Sequence, residues 1–140
     1  MFFKLDKRLG NDTAEIGDLS LCCVLLFNDF RYPWLILVPK KPGLKEIDDL
    51  SRDDRILLAE DTYVAAKVIR ELYSPLKLNI GSLGNVVRQL HVHVVGRSEC
   101  DPAWPGPVWG HSPREPYDMK TLKIRKQQIL DAITRHNFSE

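Results

Sequence analysis

The chain contains one run in which polar and apolar residues alternate without a break, Gln89-Leu90-His91-Val92-His93-Val94-Val95. Alternation with a period of two is typical of a β-strand that has one buried face and one open face. Side chains two residues apart share a face, so Gln89, His91 and His93 are predicted to point one way while the apolar residues between them enter the core. Two imidazoles and an amide in a row on a strand predict a chemical site.

Two other interpretations of this run stay open at this point. Alternate histidines on a half-exposed strand also occur on solvated surfaces, and they can both reach one metal ion. Structural zinc takes four protein ligands and catalytic zinc three, whereas no carboxylate or cysteine accompanies this pair at a familiar spacing. The metal interpretation therefore ranks last, and we predict neither a metal site nor a cofactor.

Composition narrows the class of protein. The chain has 140 residues, of which 44% are hydrophobic and 28% charged, as expected for one domain with a real core. The net charge of +1 gives no electrostatic reason to expect binding to nucleic acid or to a membrane. The apolar runs are too short to cross a bilayer. The three cysteines read as reduced thiols, and the N-terminus turns charged at once, so we expect a cytoplasmic protein.

Periodicity predicts the elements of the first half of the chain. We expect a short edge strand over residues 2–5, a polar turn at residues 10–12, and an antiparallel hairpin of two apolar runs, 19–27 and 34–38, joined by a long loop. From Ser51, which has an acidic residue three positions later, apolar residues recur at helical spacing until Ser74-Pro75.

The second half continues with a strand over residues 76–83, which we expect to be the antiparallel neighbour of the histidine strand. The loop between them contains Gly81 and Gly84, where backbone N–H groups could approach an anion, although a plain hairpin turn is equally consistent. Residues 101–110 hold three prolines and two glycines and are predicted to be irregular. Trp104 and Trp109 of this segment either pack on the sheet edge or wall a pocket. An amphipathic helix with a solvated basic face ends the chain.

The polar face of the histidine strand suits chemistry on phosphorus. Neutral imidazole is a nucleophile, and its attack on a phosphate ester divides a hydrolysis into two easier displacements. The neighbouring His, two residues on, could bond a phosphate oxygen or assist the leaving group. A serine hydrolase is less favoured, because the chain has no Gly-X-Ser-X-Gly motif.

The run from Gln89 to Arg97 resembles the histidine triad (HIT) signature, His-φ-His-φ-His-φ-φ, with Gln89 in place of the first His. The resemblance extends upstream through Asn28-Asp29 and the strand that starts at Trp34, and through a long helix to Gly84-Asn85. It covers about residues 1–110, which we take as the HIT domain, with residues 111–140 as a helical extension of the same domain. The later run Asp101-Pro102-Ala103-Trp104-Pro105 is similar to a bacterial branch of the superfamily.

The resemblance implies an α+β fold with a five-stranded antiparallel sheet and two main helices, to which this chain adds the Trp/Pro segment and a C-terminal helix. It also implies a homodimer that acts on the α-phosphate of a purine nucleotide derivative, either a dinucleoside polyphosphate or a nucleoside phosphoramidate. The expected activity is that of a nucleotidyl hydrolase or transferase.

The resemblance also assigns roles to positions of this sequence. The catalytic positions are His91, the nucleophile, His93, a phosphate contact, and Gln89, the first triad position. The nucleotide-binding positions are Asn28 and Asp29 at the ribose, and Asn79, Gly84 and Asn85 near phosphate. Gln89 departs from the pattern, because an amide can donate a hydrogen bond but cannot shuttle a proton. A catalytically weak nucleotide-binding or adaptor module is therefore the alternative.

Overall fold

The structure, a computed structural model, describes residues 2–137. Five strands form one antiparallel sheet in the order β1-β2-β3-β5-β4. The strands are β1 (Thr13–Asp18), β2 (Cys22–Phe27), β3 (Trp34–Pro39), β4 (Lys77–Gly81) and β5 (Val92–Arg97). The helices are α1 (Lys7–Asp12), α2 (Arg52–Tyr73) and α3 (Met119–Asn137), with a short 3₁₀ turn at Ile47–Asp49. This architecture confirms the predicted α+β class.

The central hairpin and the long helix form where the sequence predicts them. β2 and β3 pair in antiparallel register, with Leu25 opposite Ile36. The Ser51 hydroxyl accepts a hydrogen bond from the N–H of Asp54 and so caps the start of α2. The helix ends at Ser74, whose φ of 47° lies in the left-handed region, immediately before a proline. Among the described residues 2–137, no helix has the length and apolar character needed to cross a bilayer.

The N-terminal prediction was wrong. Instead of an edge strand and a turn, residues 7–12 form α1 and residues 13–18 form β1. The carboxylate of Asp6 accepts a hydrogen bond from the N–H of Arg8 and caps α1. β1 escaped notice because its register shifts between Glu15 and Gly17, which breaks the alternation that marks a strand.

The histidine strand also begins later than predicted. β5 starts at Val92 and runs to Arg97, so Gln89 and His91 precede it. The N–H of Leu90 donates to the carbonyl of Leu44, outside the sheet, which keeps this part of the backbone off the ladder. All residues of β5 are buried, so neither face is open to solvent, contrary to the expectation of one open face.

Each face of the sheet carries its own core. On one face, α2 and α3 cover residues such as Val24, Leu37 and Val94. On the other face, the N-terminal residues and the irregular segment 101–110 pack against Trp34 and Val95. His93 shares this second face with Val95, because side chains two positions apart on a strand point the same way. The functional site must therefore lie under the N-terminal and irregular segments, away from the long helices.

Candidate active site

A cavity of about 380 Å³ lies on the second face of the sheet, and both His91 and His93 line it. Their rings are close, with centroids 5.0 Å apart and planes inclined by 69°. Both residues are nevertheless almost completely enclosed, at 4% and 7% exposure. The structure thus places the two imidazoles together in one confined space on one side of the sheet.

The backbone fixes which nitrogen of His91 carries a proton. His91 Nδ1 lies 2.7 Å from the carbonyl oxygen of Gln89. A carbonyl oxygen can only accept, so Nδ1–H must be the donor. In the neutral ring Nε2 then keeps its lone pair, which is the state that a nucleophile needs.

A tryptophan fixes the tautomer of His93, which is the opposite of the tautomer of His91. Trp34 Nε1 lies 2.9 Å from His93 Nδ1. An indole N–H can only donate, so His93 Nδ1 accepts and the neutral ring carries its proton on Nε2. Burial, and then the nearby charge of His91, lower the pKa of His93 to about 3. His93 is therefore a neutral hydrogen-bond donor at physiological pH.

Aromatic side chains enclose His93. Trp34 and Trp109 approach its ring edge-on, with centroids at 5.7 Å and 5.5 Å. Trp109 also lines the cavity, and its indole N–H is buried without an acceptor among residues 2–137. Trp104, in contrast, packs against the guanidinium of Arg97, 5.7 Å away. Of the two tryptophans in the irregular segment, Trp109 walls the pocket and Trp104 packs beside it.

Asp29 lines the cavity, and Asn28 stands behind it. The buried Asp29 carboxylate accepts hydrogen bonds from Arg31 Nε at 3.0 Å and Nη2 at 2.8 Å. Arg31 also donates to the Ser112 hydroxyl, so the pair fixes the segment that leads to α3. Asn28 accepts from the N–H of Tyr117 in the same segment and is not among the cavity-lining residues of the described chain.

Of the three residues predicted to lie near phosphate, one lines the cavity and two do not, among the described residues. Asn85 lines the cavity. Gly84 lies in the turn behind it, where a Cβ would come within 3.3 Å of the Val87 carbonyl oxygen. Asn79 accepts a hydrogen bond from Arg97 at 2.7 Å. Arg97 is 2% exposed and also binds Asp101 and the Gly106 carbonyl, so this network holds the irregular segment in place.

The side-chain amide of Gln89 forms hydrogen bonds with the N-terminal segment of the chain. Its Oε1 accepts from the N–H of Asp6 at 2.8 Å, and its Nε2 donates to the carbonyl of Lys4 at 2.9 Å. Both contacts tie the N-terminal segment to the start of the histidine run. Within residues 2–137, Gln89 does not belong to the cavity lining. The structure therefore brings His91, His93, Asp29 and Asn85 together and leaves Gln89, Asn28, Asn79 and Gly84 outside the cavity.

Three charged residues that line the cavity were not identified from the sequence. They are Arg8 and Asp12 of α1, and Arg114. No short-range motif marks them, because α1 itself was missed and Arg114 is distant in sequence. The only signal is that Arg8 and Asp12 are one helical turn apart. Within residues 2–137, no group of three or more His, Cys, Asp or Glu side chains is placed to hold a metal ion.

Comparison with models of known protein families shows which family this chain belongs to. A family model described as the HIT domain matches residues 8–100. The chain belongs to the histidine triad (HIT) family. A comparison with curated proteins gave no match.

Solved structures of bacterial HIT proteins are similar to this chain over almost its whole length. A histidine triad protein from Sinorhizobium meliloti 1021 is 45% identical, with a TM-score of 0.90, covering 93% of this chain and 96% of that one. One from Marinobacter aquaeolei VT8 is 40% identical, with a TM-score of 0.91, covering 96% and 98%. One from Bradyrhizobium japonicum is 38% identical, with a TM-score of 0.92, covering 95% and 99%.

Membership of the HIT family confirms the resemblance seen in the sequence. HIT proteins bind nucleotides and are generally nucleotide hydrolases or transferases. The cavity with its two imidazoles lies within the matched residues, apart from the part of its wall that residues 108–114 supply.

Proposed function

We propose that this HIT protein is a nucleotidyl hydrolase or transferase in which His91 Nε2 attacks the α-phosphate of a purine nucleotide derivative. The observation that carries the proposal is the hydrogen bond from His91 Nδ1–H to the Gln89 carbonyl. It directs the lone pair to Nε2, on the opposite side of the ring from the backbone. It also stabilises the positive charge that the ring gains when Nε2 forms a bond to phosphorus.

The reaction then has two displacements. In the first, the Nε2 lone pair forms a bond to phosphorus, and the bond from phosphorus to the leaving group breaks, with the electron pair going to that group. When the leaving group is an amine, its nitrogen also takes up a proton from solvent. In the second, water attacks phosphorus, the phosphorus–Nε2 bond breaks, and a nucleoside monophosphate and a proton are released. His93 contributes a neutral Nε2–H donor, which suits a phosphate oxygen in both steps. Asn85 and Asp29 line the same cavity, and we assign them contacts with phosphate and ribose respectively.

The proposed substrates are dinucleoside polyphosphates and nucleoside phosphoramidates. The test is to incubate the purified protein with diadenosine tetraphosphate, diguanosine tetraphosphate and the phosphoramidates of both nucleosides. We expect the wild type to release monophosphate from at least one substrate. His91→Ala should lose turnover but keep its circular dichroism spectrum and nucleotide binding. If the wild type hydrolyses none of the four, the enzymatic proposal is rejected.

The second candidate is a nucleotide-binding module with weak or no catalysis. It is favoured by the position of Gln89, whose amide is bound to Lys4 and Asp6 and so brings no side chain of the first triad position to the cavity. Tight binding of a mononucleotide without turnover, and no gain in rate on Gln89→His, would support this candidate over the enzyme.

We further propose that the protein forms a homodimer. β4 is an edge of the sheet and pairs only with β5 among the described strands. Near this edge, Leu76 and Ile80 are 55% and 49% exposed. An unpaired strand edge beside exposed apolar side chains favours association with a second strand.

A further inference from the structure

The cavity extends far beyond the imidazoles. His93 lies on β5, Ile36 opposite it on β3, and Phe27 on β2, and all three line the cavity. Phe27 is paired with Thr13 of β1, and Asp12 immediately precedes that residue. Neighbouring strands are about 4.8 Å apart, so the three steps from β5 to β1 span about 14 Å. This length is comparable with that of a nucleoside monophosphate from its phosphate to the far edge of its base.

The middle of the cavity is apolar and suits a flat ring. Leu9 and Ile36 are 5% and 1% exposed, and both line it. The ring of Phe27 lies against that of Trp34, with centroids 4.3 Å apart and planes inclined by 33°. A purine that lies between such walls has its faces buried, and only its outer edge meets polar groups.

Those polar groups are the carboxylate of Asp12 and two guanidinium groups. Arg8 Nε lies 4.0 Å from Asp12 Oδ2, and Arg114 Nε lies 3.6 Å from Asp12 Oδ1. Both distances are too long for hydrogen bonds. The two arginines therefore attract the carboxylate without occupying its lone pairs, and both oxygens remain able to accept hydrogen bonds from a ligand at the cavity end.

We propose that Asp12 recognises the base edge and makes the site selective for guanine nucleotides over adenine nucleotides. Guanine presents N1–H and N2–H₂ side by side, which matches the two oxygens of a carboxylate. Its O6, next to N1, is an acceptor for Arg8 or Arg114. In the same position adenine presents C2–H and the N1 lone pair to the carboxylate, so it offers the carboxylate no hydrogen bond, and it turns its N6 donor towards the arginines. This inference rests on the proposed nucleotide site, with the phosphate at His91.

The experiment is a calorimetric comparison of GMP, IMP and AMP binding to the wild type and to Asp12→Asn. We expect GMP to bind the wild type tenfold to a hundredfold more tightly than AMP, by about the amount that charge-assisted hydrogen bonds contribute. IMP, which keeps N1–H but lacks the N2 amine, should lie between them. Asp12→Asn should reduce or reverse the preference, because a carboxamide offers one acceptor and one donor, the pair that adenine matches.

The matched control is Asp18→Asn, at the other end of β1, where the carboxylate pairs with Lys40 on the surface. This variant should keep the wild-type order of affinities. Equal binding of GMP and AMP to the wild type, or of GMP and IMP, would overturn the proposal, and so would an unchanged ratio in a folded Asp12→Asn. The affinities of GMP, IMP and AMP for the wild type need no variant, so they test the proposal even if Asp12→Asn fails to fold.

The outcomes also separate this inference from the proposed reaction. A preference for GMP in a protein that hydrolyses none of the substrates would reject the reaction and retain the base recognition. Hydrolysis of adenosine and guanosine substrates at equal kcat/KM, together with equal affinities, would retain the reaction and reject the role of Asp12. If none of the three mononucleotides binds, the base recognition is rejected, and the reaction is then judged by hydrolysis of the four substrates alone.

Discussion

His91 and His93 stand two positions apart, but their neighbours give them opposite protonation patterns. The Gln89 carbonyl requires a proton on His91 Nδ1, whereas the Trp34 indole requires a lone pair on His93 Nδ1. The first ring is thereby prepared to attack, and the second to donate. The two roles come from one backbone oxygen and one indole rather than from any difference between the histidines themselves.

Replacement of Trp34 by Phe tests the second of these assignments. The change removes the N–H donor and leaves a buried acceptor on His93 without a partner, which should lower the free energy of unfolding by about 1–3 kcal/mol. The Nε2–H form of His93 is no longer enforced, so kcat should fall by about tenfold. Imidazole nitrogen NMR would report the tautomer, and steady-state kinetics the rate. Trp104→Phe is the control, because Trp104 packs on Arg97 outside the cavity. An unchanged tautomer in Trp34→Phe would contradict the assignment.

The buried position of His93 makes stability depend on pH. Between the ordinary value of 6.5 and its pKa of about 3, the unfolded chain takes up a proton that folded His93 does not. The free energy of unfolding should therefore fall as the pH is lowered from about 6.5 towards 3, by at most about 1.4 kcal/mol per pH unit from this group. In His93→Gln this contribution should vanish. Urea unfolding of both proteins at pH 4 to 8 measures it, and parallel pH profiles would show that His93 does not titrate in this way.

At this scale the sequence predicted the placement of the imidazoles but not their state. Alternation put His91 and His93 on one side, and both line one cavity. The tautomers could not be predicted, because the decisive partner of His93 is Trp34, which is 59 positions away. The surroundings of Asp29 were likewise only partly predictable: its partner Arg31 is local, but Arg31 also donates to the Ser112 hydroxyl, 81 positions away.

Two segments outside the sheet cover the site. The N-terminal segment, residues 2–12, which includes α1, is tied to the histidine run through the Gln89 amide. The segment 101–110 is held by Arg97, whose guanidinium binds Asp101 and Asn79. Although burial alone would raise it, the hydrogen bonds from Arg97 and the Ser98 N–H keep the pKa of Asp101 below its usual value. Both covers depend on side-chain hydrogen bonds to a neighbouring segment.

Replacement of Gln89 by Glu tests the N-terminal attachment. Glutamate keeps an acceptor for the Asp6 N–H but loses the donor to the Lys4 carbonyl and sets a negative charge against it. We expect a loss of about 1–2 kcal/mol in the free energy of unfolding. Trypsin should also cleave faster at Lys4, Lys7 and Arg8 in the native state. The control is Gln127→Glu on α3, where the side chain donates to the exposed carboxylate of Asp131. If the N-terminal sites are cleaved no faster in Gln89→Glu than in the wild type, the attachment is not what holds the segment.

The elements themselves were predictable to different degrees. The β2–β3 hairpin and α2 follow from apolar periodicity, capping by Ser51 and a stop before Pro75. α1 and β1 were missed because one is short and the other carries a bulge at Gly17. The start of β5 was misplaced because a contact with Leu44, far away in sequence, removes the preceding residues from the ladder.

In the whole molecule, one face of the sheet carries most of the apolar core and the other face carries the cavity. α2 and α3 bury one face and supply most of the apolar core. The other face is covered by short segments that leave room for the cavity. The sequence predicted the long helix and the sheet, and it left open that the segment 101–110 walls a pocket, but it did not predict that residues 2–12 help to close the site.

The proposed dimer is tested by light scattering after size-exclusion chromatography. We expect a mass twice the 16.1 kDa of one chain. Ile80→Lys places a charge beside the β4 edge and should shift the protein to monomer, since charged side chains block strand pairing. Ile124→Lys on α3, where the residue is equally exposed at 49%, should remain dimeric. A wild type that elutes as a monomer at micromolar concentration would contradict the proposal.

Attack by His91 on phosphorus is tested by trapping the nucleotidyl intermediate on that residue. Wild-type protein is mixed with a guanosine or adenosine phosphoramidate, quenched within the first turnover in alkaline denaturant, and digested for peptide mass mapping. We expect one added nucleotidyl group on the peptide that contains His91, localised to that residue by fragmentation and absent from His91→Ala. Monophosphate production in the burst phase with no adduct, or with the adduct on His93, would contradict attack by His91.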